Sequence, residues 1–501
     1  MAKKIHKTKK TPLLKNVSFY FVLLYALLTL GMIVQVFTVN VIPVKYAMIV
    51  CVILLLLLLG MYYLQLGKKV NKVNKVLGKI LIIILAAFLG VGNWYLFKTG
   101  SAFSRMTGDD TQTSVVSVVV MKDSKAESIE DLKNSKFGLT KTGTQDTMEK
   151  GLADIKKDAG QDITTVDYKS YKTIADDLYD GKIDAIIMDE ATRSLFEDNH
   201  SKFDSETRIV KSYKYKTSTK DISKNVDVTS EPFNVYITGI DTYGTISTVS
   251  RSDVNMIATV NPKTHQVLLT SIPRDYYVPQ PCQGGQTDKL THTGIFGVDC
   301  TVETVENYFG IDINYYVRVN FSSVENIVDA LGGINVDSPI AFNALGYSFS
   351  AGTNSLNGKE ALAFSRERYS LGGGDRDRGK NQMRVITGII NKAISPSIIT
   401  NYTSILDAVS GSFQTNMSNS EMTSLIKMQI NDMSGWDIEQ ISVNGTGNAS
   451  AWSPANGFNS WVMEPNVETV KRAVEVMKKV ENGEDVKALA QQVMEENTAD
   501  E

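Results

Sequence analysis

The 501-residue sequence predicts an α/β protein with three transmembrane helices, a small α/β unit, and a larger three-layer α/β/α domain built on a mixed sheet. Three observations predict this. Apolar stretches run from Val17 to Ile42, Tyr46 to Leu66 and Ile80 to Phe97, and a helix needs roughly 20 apolar residues to cross a bilayer. Beyond residue 113, short β-branched runs alternate with polar segments of helical length. Charge also divides the chain: 13 of the 52 basic residues and none of the 55 acidic ones precede residue 101, leaving 39 basic against 55 acidic, a net of −16.

The first apolar stretch is too long for a cleaved signal peptide, and a second follows almost at once. Lys3, Lys4, Lys7, Lys9, Lys10 and Lys15 form a basic tail over residues 1–16, and Lys68, Lys69, Lys72, Lys75 and Lys79 fill the loop between the second and third stretches. Positive-inside bias puts both segments in the cytoplasm. Three crossings within residues 17–99 then place everything after residue 100 outside a multi-pass cell membrane. An exported part with a net negative charge repels polyphosphate, so nucleic acid is not an expected partner, and any phosphate site must be a local basic cleft. Cys51 lies in a span. Cys282 and Cys300 lie in the exported part and are expected to pair in an oxidising compartment, the alternative being two unpaired thiols.

After a polar linker over 100–112, an accessory unit is expected at 113–227. Ser114 to Val120, Lys136 to Thr140 and Asp184 to Asp189 read as buried strands, here assigned to a parallel sheet. The phrases SIEDLKNSKFGLTKTGTQDTMEKGL and TIADDLYDGKIDAIIMDEA resemble half of an extracellular solute-binding protein. Thr140 to Gln145 would then be a ligand loop at a helix N-terminus, or simply a strand-to-helix connection. GTQDTMEKG lacks the Lys-Ser/Thr pair of a P-loop. With one lobe only, a spacer or partner-binding role is expected.

The larger domain is expected at 233–480, followed by a polar tail at 481–501 that reads as a solvated helix or a frayed end. Val235 to Ile240, Val254 to Val260 and His265 to Ile272 read as buried strands, the last two joined as a hairpin by Asn261 to Thr264. Helix-like TVETVENYFG, strand-like YYVRVN, helix-like SSVENIVDALGG and an amphipathic stretch from about Asp377 complete it.

Two charged clusters stand out there. Asp241, Arg251, Asp253, Arg274 and Asp275 fall at strand ends, where sheet enzymes place their sites. Paired carboxylates suit a hard divalent ion such as Mg²⁺. Zinc is not expected, since His6, His200, His265 and His292 have no ligand spacing. Singly, Asp241 reads equally as a turn cap, and Arg251 with Asp253 as a surface pair. The second cluster, ALAFSRERYSLGGGDRDRGKNQMR, concentrates Arg366, Arg368, Arg376, Arg378, Lys380 and Arg384 in an acidic domain. Guanidinium groups grip phosphate bidentately and stay charged. Arg366 and Arg368 share a face only if the segment is extended or ends its helix there, and Asp375 or Asp377 is placed to cap the following helix.

In order and spacing, the phrases ITGIDTYGTISTVSRSDVNMIATVNPKTHQVLLTSIPRDYYV, DKLTHTGIFGVD, NIVDALGGINVDSP, LNGKEALAFSRERYS and GDRDRGKNQMRVI resemble the LytR-CpsA-Psr family over Phe233 to about Asn444. With three spans and an extra exported unit, the arrangement is similar to capsule-locus members. The resemblance implies a phosphotransferase that takes a glycan, here capsular polysaccharide, from undecaprenyl pyrophosphate and joins it to peptidoglycan by a phosphodiester, with pyrophosphatase activity besides. It implies Mg²⁺ or Mn²⁺ at Asp241 and Asp253, and pyrophosphate held by Arg251, Arg274, Lys289, Arg366, Arg368, Arg378 and Gln382. Arg251, Asp253, Asp375 and Arg378 are the implied catalytic set. Where many members read RQQ, this chain reads Asn381-Gln382-Met383. The general base stays open between an Asp and a perturbed Arg. A polyprenyl chain also needs an apolar tunnel, for which Asn326 to Val336 and the later helices are candidates, ordinary core being the alternative. Capsule-assembly proteins are possible partners. The competing functions are a regulator, for which the short cytoplasmic segments leave no room for a helix-turn-helix, and a scaffold without catalysis.

Overall fold

The computed structural model describes residues 16–107, 111–140, 145–240, 246–395, 405, 408 and 411–499. They form two compact units, one of residues up to Ser104 together with Asn419–Met433, the other of Arg105–Ser418 with Ser434–Glu501.

In the first unit, α1 (Val17–Val39), α2 (Val44–Leu66) and α3 (Lys72–Thr107) are each long and apolar enough to cross a membrane. The third stretch, the shortest in the sequence, becomes the longest helix. Lys72, Lys75 and Lys79 lie inside α3 rather than in a loop, and so does the linker as far as Thr107; lysine is a good helix former, and the helix carries through Gly78 and Gly100. Polar groups tie the helices together, Asn93 Nδ2 donating to Leu28 O at 3.1 Å and Gln65 Nε2 to Lys75 O at 2.9 Å. The helix Asn419–Asp432 belongs to this unit, with Lys427 Nζ donating to Asn40 Oδ1 at the end of α1 at 2.6 Å.

In the second unit, β1 (Thr111–Met121), β2 (Lys136–Thr140), β3 (Thr164–Tyr168), β4 (Ala185–Asp189) and β5 (Thr207–Ser218) form one sheet in the order β3-β2-β4-β1-β5. The sheet is mixed, not parallel: β2 pairs parallel with β3 and β4, but β1 runs antiparallel to β4 and β5. Parallel neighbours need a crossover helix between them. No such helix links β1 to its neighbours in sequence, and β1 fills the gap between β4 and β5. Val116, Val118 and Val120 bury one face of β1 and Val119 the other, which is why valine fills all but one position from Val115 to Val120. Residues 141–144 of the expected ligand loop lie outside the described residues.

The larger sheet contains β6 (Phe233–Ile240), β7 (Val254–Asn261) and β8 (Gln266–Ser271), ordered 414–415, 315–320, β6, β7, β8, 437–442. β7 and β8 form the expected hairpin, and β6 pairs parallel with 315–320, as β8 does with 437–442. Tyr236, Ile257 and Leu268 point to one face, under Val470, Ala473, Val476 and Met477 of the helix Val467–Glu481. That helix is apolar at helical spacing. The helix Lys487–Ala499 follows it into the same core: Val486, Ala490 and Val493 are buried and Asn497 Nδ2 donates to Ser442 O at 2.5 Å. What reads as a polar tail is thus one apolar stripe on an otherwise polar helix.

The two sheets share a core. Val249, Ile295 and Ala455 pack with Ile174, Phe196 and Phe203 of the small sheet's helices, and Thr113 N donates to Ser247 O at 2.8 Å. Cys282, in a turn, and Cys300, at the start of the helix Val298–Phe309, are disulfide-linked with Cα atoms 5.4 Å apart. Cys51 is the remaining free thiol. Denatured, unreduced protein should therefore take up one thiol label per chain and reduced protein three; three labels before reduction would rule out the pairing.

Candidate functional site

Three backbone segments meet at the end of the large sheet. Ser252 N donates to Thr291 O at 2.9 Å and Asp253 N to Gly239 O at 2.8 Å, so residues 250–253 are pinned between β6 and the turn Leu290–Phe296. Gly294 permits this closeness, because a Cβ there would lie 2.5 Å from Ser250 O. Ser252 turns inward to Asn255 and Thr238, and in an extended segment its neighbours Arg251 and Asp253 must then point the other way. Arg274, just after β8, is ion-paired with Asp253. Thr291 Oγ1 donates to the same carboxylate at 3.2 Å.

The second cluster arrives on two helices. The helix Gly358–Arg366 ends at Arg366, and Glu367 is extended, so Arg366 and Arg368 reach the same cavity. Arg366 lies 4.1 Å over the Phe321 ring and Arg368 4.7 Å over Tyr369. The helix Asp375–Ala393 contributes Arg378 and Gln382, one turn apart. Its N-cap is Gly374, without a side-chain cap. Neither aspartate caps it: Asp375 pairs with Arg378, and Asp377 accepts from Gly373 N at 2.9 Å. Gly374 has φ 57°, a conformation in which glycine is unstrained and aspartate is not.

Together they enclose a cavity of about 540 Å³. Its polar lining is Arg251, Asp253, Arg274, Arg366, Arg368, Arg378 and Gln382, and Ile237, Val317, Val319, Val385, Ile386 and Ile389 give it an apolar wall. Strand register explains this wall, since Ile237 pairs with Val317 and Gly239 with Val319, placing these side chains on one sheet face. Val324 and Ile327 also line it. Val328, Leu331, Ile334 and Val336, by contrast, are buried core. Lys289 stands off the main cavity, 3.4 Å from Asp275.

Burial pushes the Asp253 carboxyl up, but the charges of Arg274, Arg251 and Arg378 outweigh it and hold the group below the ordinary carboxylate range. Burial pulls the Arg378 guanidinium down, with Asp375 opposing and Arg274 adding to the pull. Among the described residues the cavity sets five guanidinium groups against the carboxylates of Asp198, Asp253 and Glu367. Nε of Arg251 is buried without a hydrogen-bond partner, as expected of a donor facing an anion site, whereas Nε of Arg274 faces Asp275 Oδ2 at 3.6 Å.

Asp241 lies outside the described residues, and among those described no group of three His, Cys, Asp or Glu is gathered as for a metal. Asp253 and Asp375 do line one void of about 20 Å³ with Arg274 and Arg378, Asp253 ion-paired there with Arg274 and Asp375 Oδ1 with Arg378. Two carboxylates at a void of single-ion size fit a hard divalent cation.

Asp198 was not legible as a site residue. It comes from the small α/β part, in the polar run LFEDNH, yet it lines the cavity and pairs with Arg251 at 3.2 Å. Phe321 and Tyr369 were missed likewise, as aromatic residues become platforms only once an arginine is seen above them.

Residues 199–478 match the model described as the LytR_cpsA_psr family. Residues 68–188 match one described as DNA polymerase processivity factor, a stretch divided between the two compact units. A polyisoprenyl-teichoic acid–peptidoglycan teichoic acid transferase, TagU, of Enterococcus faecalis is 40% identical over 238 residues, 46% of this chain and 77% of the relative. TagU of Bacillus subtilis is 41% identical over 205 residues, 41% of this chain and 65% of the relative. The crystal structure of B. subtilis TagU aligns at 34% identity over 50% of this chain and 96% of that one, with a TM-score of 0.39.

A metal-binding aspartate at a strand edge is seldom needed for folding, so sequence reasoning expects an Asp253→Ala protein to fold normally. The structure revises this, because Asp253 is 9% exposed and is the nearer of the two carboxylates, with Asp275, that neutralise the half-buried Arg274. Stranding a buried charge costs about 3–5 kcal/mol. Asp253→Ala should lower the denaturant midpoint accordingly, and adding Arg274→Met should recover much of the loss; an Asp253→Ala protein as stable as wild type would refute this dependence.

Proposed function

Because the chain belongs to the LytR-CpsA-Psr family, we propose that it transfers a glycan from polyprenyl pyrophosphate to peptidoglycan at the arginine-lined cavity. The observation that carries this is the cavity's two-part chemistry: an apolar wall for a polyprenyl chain and five guanidinium groups for the pyrophosphate. Printed names of the relatives describe transfer of teichoic acid from a polyisoprenyl carrier to peptidoglycan. Here we assign the glycan to capsular polysaccharide, in keeping with the three apolar helices and the additional α/β part, most of which precedes the family match at 199–478.

An acceptor hydroxyl forms a bond to the glycan-bearing phosphorus while the phosphoanhydride bond breaks. Polyprenyl monophosphate leaves, and the hydroxyl proton passes to a carboxylate or to water. The protein contributes positioning and charge neutralisation, the main requirements of phosphoryl transfer. Arg366, fixed on Phe321, and Arg274, fixed by Asp253, are preorganised donors. Arg251, Arg368, Arg378 and Gln382 complete the grip. Asp253 and Asp375, with Asp241, would hold Mg²⁺ or Mn²⁺, which when bound neutralises pyrophosphate charge. With water in place of the acceptor, the same step is a pyrophosphatase reaction.

The stacking of helices on both faces of the large sheet supports a three-layer catalytic domain, with 113–227 as its accessory domain. Lys427 joins residues 419–432 to the α1–α2 connection at Asn40. Three crossings put both of these on the outer side, with the catalytic domain extracellular.

Arg368 provides the test, because it is half-buried and stacks on a tyrosine that is 83% exposed, so folding should depend little on it. A charge-assisted bond contributes roughly 1.5–3 kcal/mol. Arg368→Ala should weaken binding of a polyprenyl pyrophosphate by about ten- to a hundredfold, with Arg368→Lys intermediate because it keeps charge without the fork. Normal binding combined with earlier thermal unfolding would make this arginine structural. Chelation with EDTA should also abolish release of polyprenyl phosphate, and Mg²⁺ or Mn²⁺ should restore it; release that survives chelation would remove the metal from the mechanism.

A further inference from the structure

A second cavity of about 330 Å³ adjoins the first. The two share only Asp198, Arg251 and Arg274, so these residues form the neck at which the apolar cavity and this one meet. Its distinctive wall comes from the hairpin Gly445–Ser453/Phe458–Pro465 and its turn, which supply Asn456, Phe458, Ser460 and Trp461. The hairpin is firmly seated. Ser453 Oγ and Ala455 N donate to the buried Asp288 carboxylate at 2.8 and 2.9 Å, Tyr277 OH donates to Trp452 O at 2.7 Å, and Met463 N to Asp275 O at 2.8 Å.

The lining is not a lipid wall, and its cations are already matched: Arg251 pairs with Asp198, and Arg274 and Lys289 face Asp275. Asn456 is 1% exposed, and its side-chain oxygen has no hydrogen-bond partner. Ser460 Oγ is likewise buried and unpartnered. Buried polar groups are normally hydrogen-bonded, so such groups point to a polar ligand. Beside them Trp461 is 44% exposed, its indole so close to Gly447 that a Cβ there would lie 3.1 Å from Nε1. Asp198 and Asp275 add acceptors. An aromatic face flanked by amide, hydroxyl and carboxylate groups suits a neutral, polyhydroxylated ring.

We propose that this cavity binds the acceptor saccharide, the sugar of peptidoglycan whose hydroxyl attacks the pyrophosphate. The inference rests on the proposed function and adds one requirement. Attacking and leaving oxygens of a phosphoryl transfer lie roughly in line. The leaving group is the polyprenyl phosphate, which lies toward the apolar cavity, so the nucleophile arrives from the cavity that meets it at Arg251 and Arg274. Trp461 stacks on the sugar ring and Asn456 bonds its substituents, holding the ring within reach of the neck.

The test uses full-length protein in detergent, a polyprenyl-pyrophosphate-linked glycan as donor, and an uncrosslinked peptidoglycan tetrasaccharide as acceptor. Trp461→Ala should raise the acceptor KM at least about tenfold, while donor affinity stays within about twofold of wild type. Trp461→Phe, which keeps an aromatic face, should recover most of the loss. Gly447→Ala, which crowds the indole without removing it, should raise the acceptor KM in the same direction. Unchanged acceptor KM in Trp461→Ala would overturn the assignment. So would a parallel fall in donor affinity, which would give the cavity to the donor's own sugar. A wild-type protein that neither binds the donor nor releases polyprenyl phosphate would instead sink the proposed function on which this rests.

Discussion

Asp253 is the anion on which the site is assembled. Three buried or half-buried guanidinium groups, those of Arg274, Arg251 and Arg378, act on its carboxylate, and like charges at such distances repel one another strongly in a medium of low polarity. One carboxylate cannot neutralise three cations. It shares them with Asp198, paired to Arg251, and Asp375, paired to Arg378, and the cationic excess of the cavity comes from Arg366 and Arg368. Because Asp253 N is tied to Gly239 O and Ser252 N to Thr291 O, this carboxylate is placed by main chain rather than by a flexible side chain.

The same sheet that positions the charges also makes the apolar cavity. Alternation along β6 sends Tyr236 into the core and Ile237 toward the cavity, and the parallel register repeats the pattern at Val317 and Val319. The helix Asp375–Ala393 then places Arg378 and Gln382 near its N-terminus and Val385, Ile386 and Ile389 further along. Headgroup and lipid regions are therefore set apart along one helix, in the order a polyprenyl pyrophosphate would require.

The small α/β part takes more than a spacer's share in this architecture. Its core runs without a break into Val249, Ile295 and Ala455, and its Asp198 is paired to Arg251 at the junction of the two cavities. Arg251 is thus held from both sides, by the turn Leu290–Phe296 through its backbone neighbours and by Asp198 through its side chain.

The sequence by itself determined the three apolar helices, the β7–β8 hairpin, the strand-end positions of Arg251, Asp253 and Arg274, and the arginine-rich segment, since each is a local pattern of hydropathy, turn residues or charge. Spacing alone left open whether Arg366 and Arg368 face one way, and the helix end at Arg366 decided it. The direction of β1, the burial of Asp253 and the roles of Asp198 and Trp461 were settled only by tertiary structure. Each depends on partners far away in the chain: β1 on β4 and β5, Asp253 on Arg274 and Thr291, Asp198 on Arg251, and Trp461 on a hairpin seated by Asp288. Hydrophobic period and charge order report what a residue's neighbours in sequence impose. A buried ion pair or a shared cavity wall is fixed by which strand ends the folded sheet brings side by side, and that information is not local.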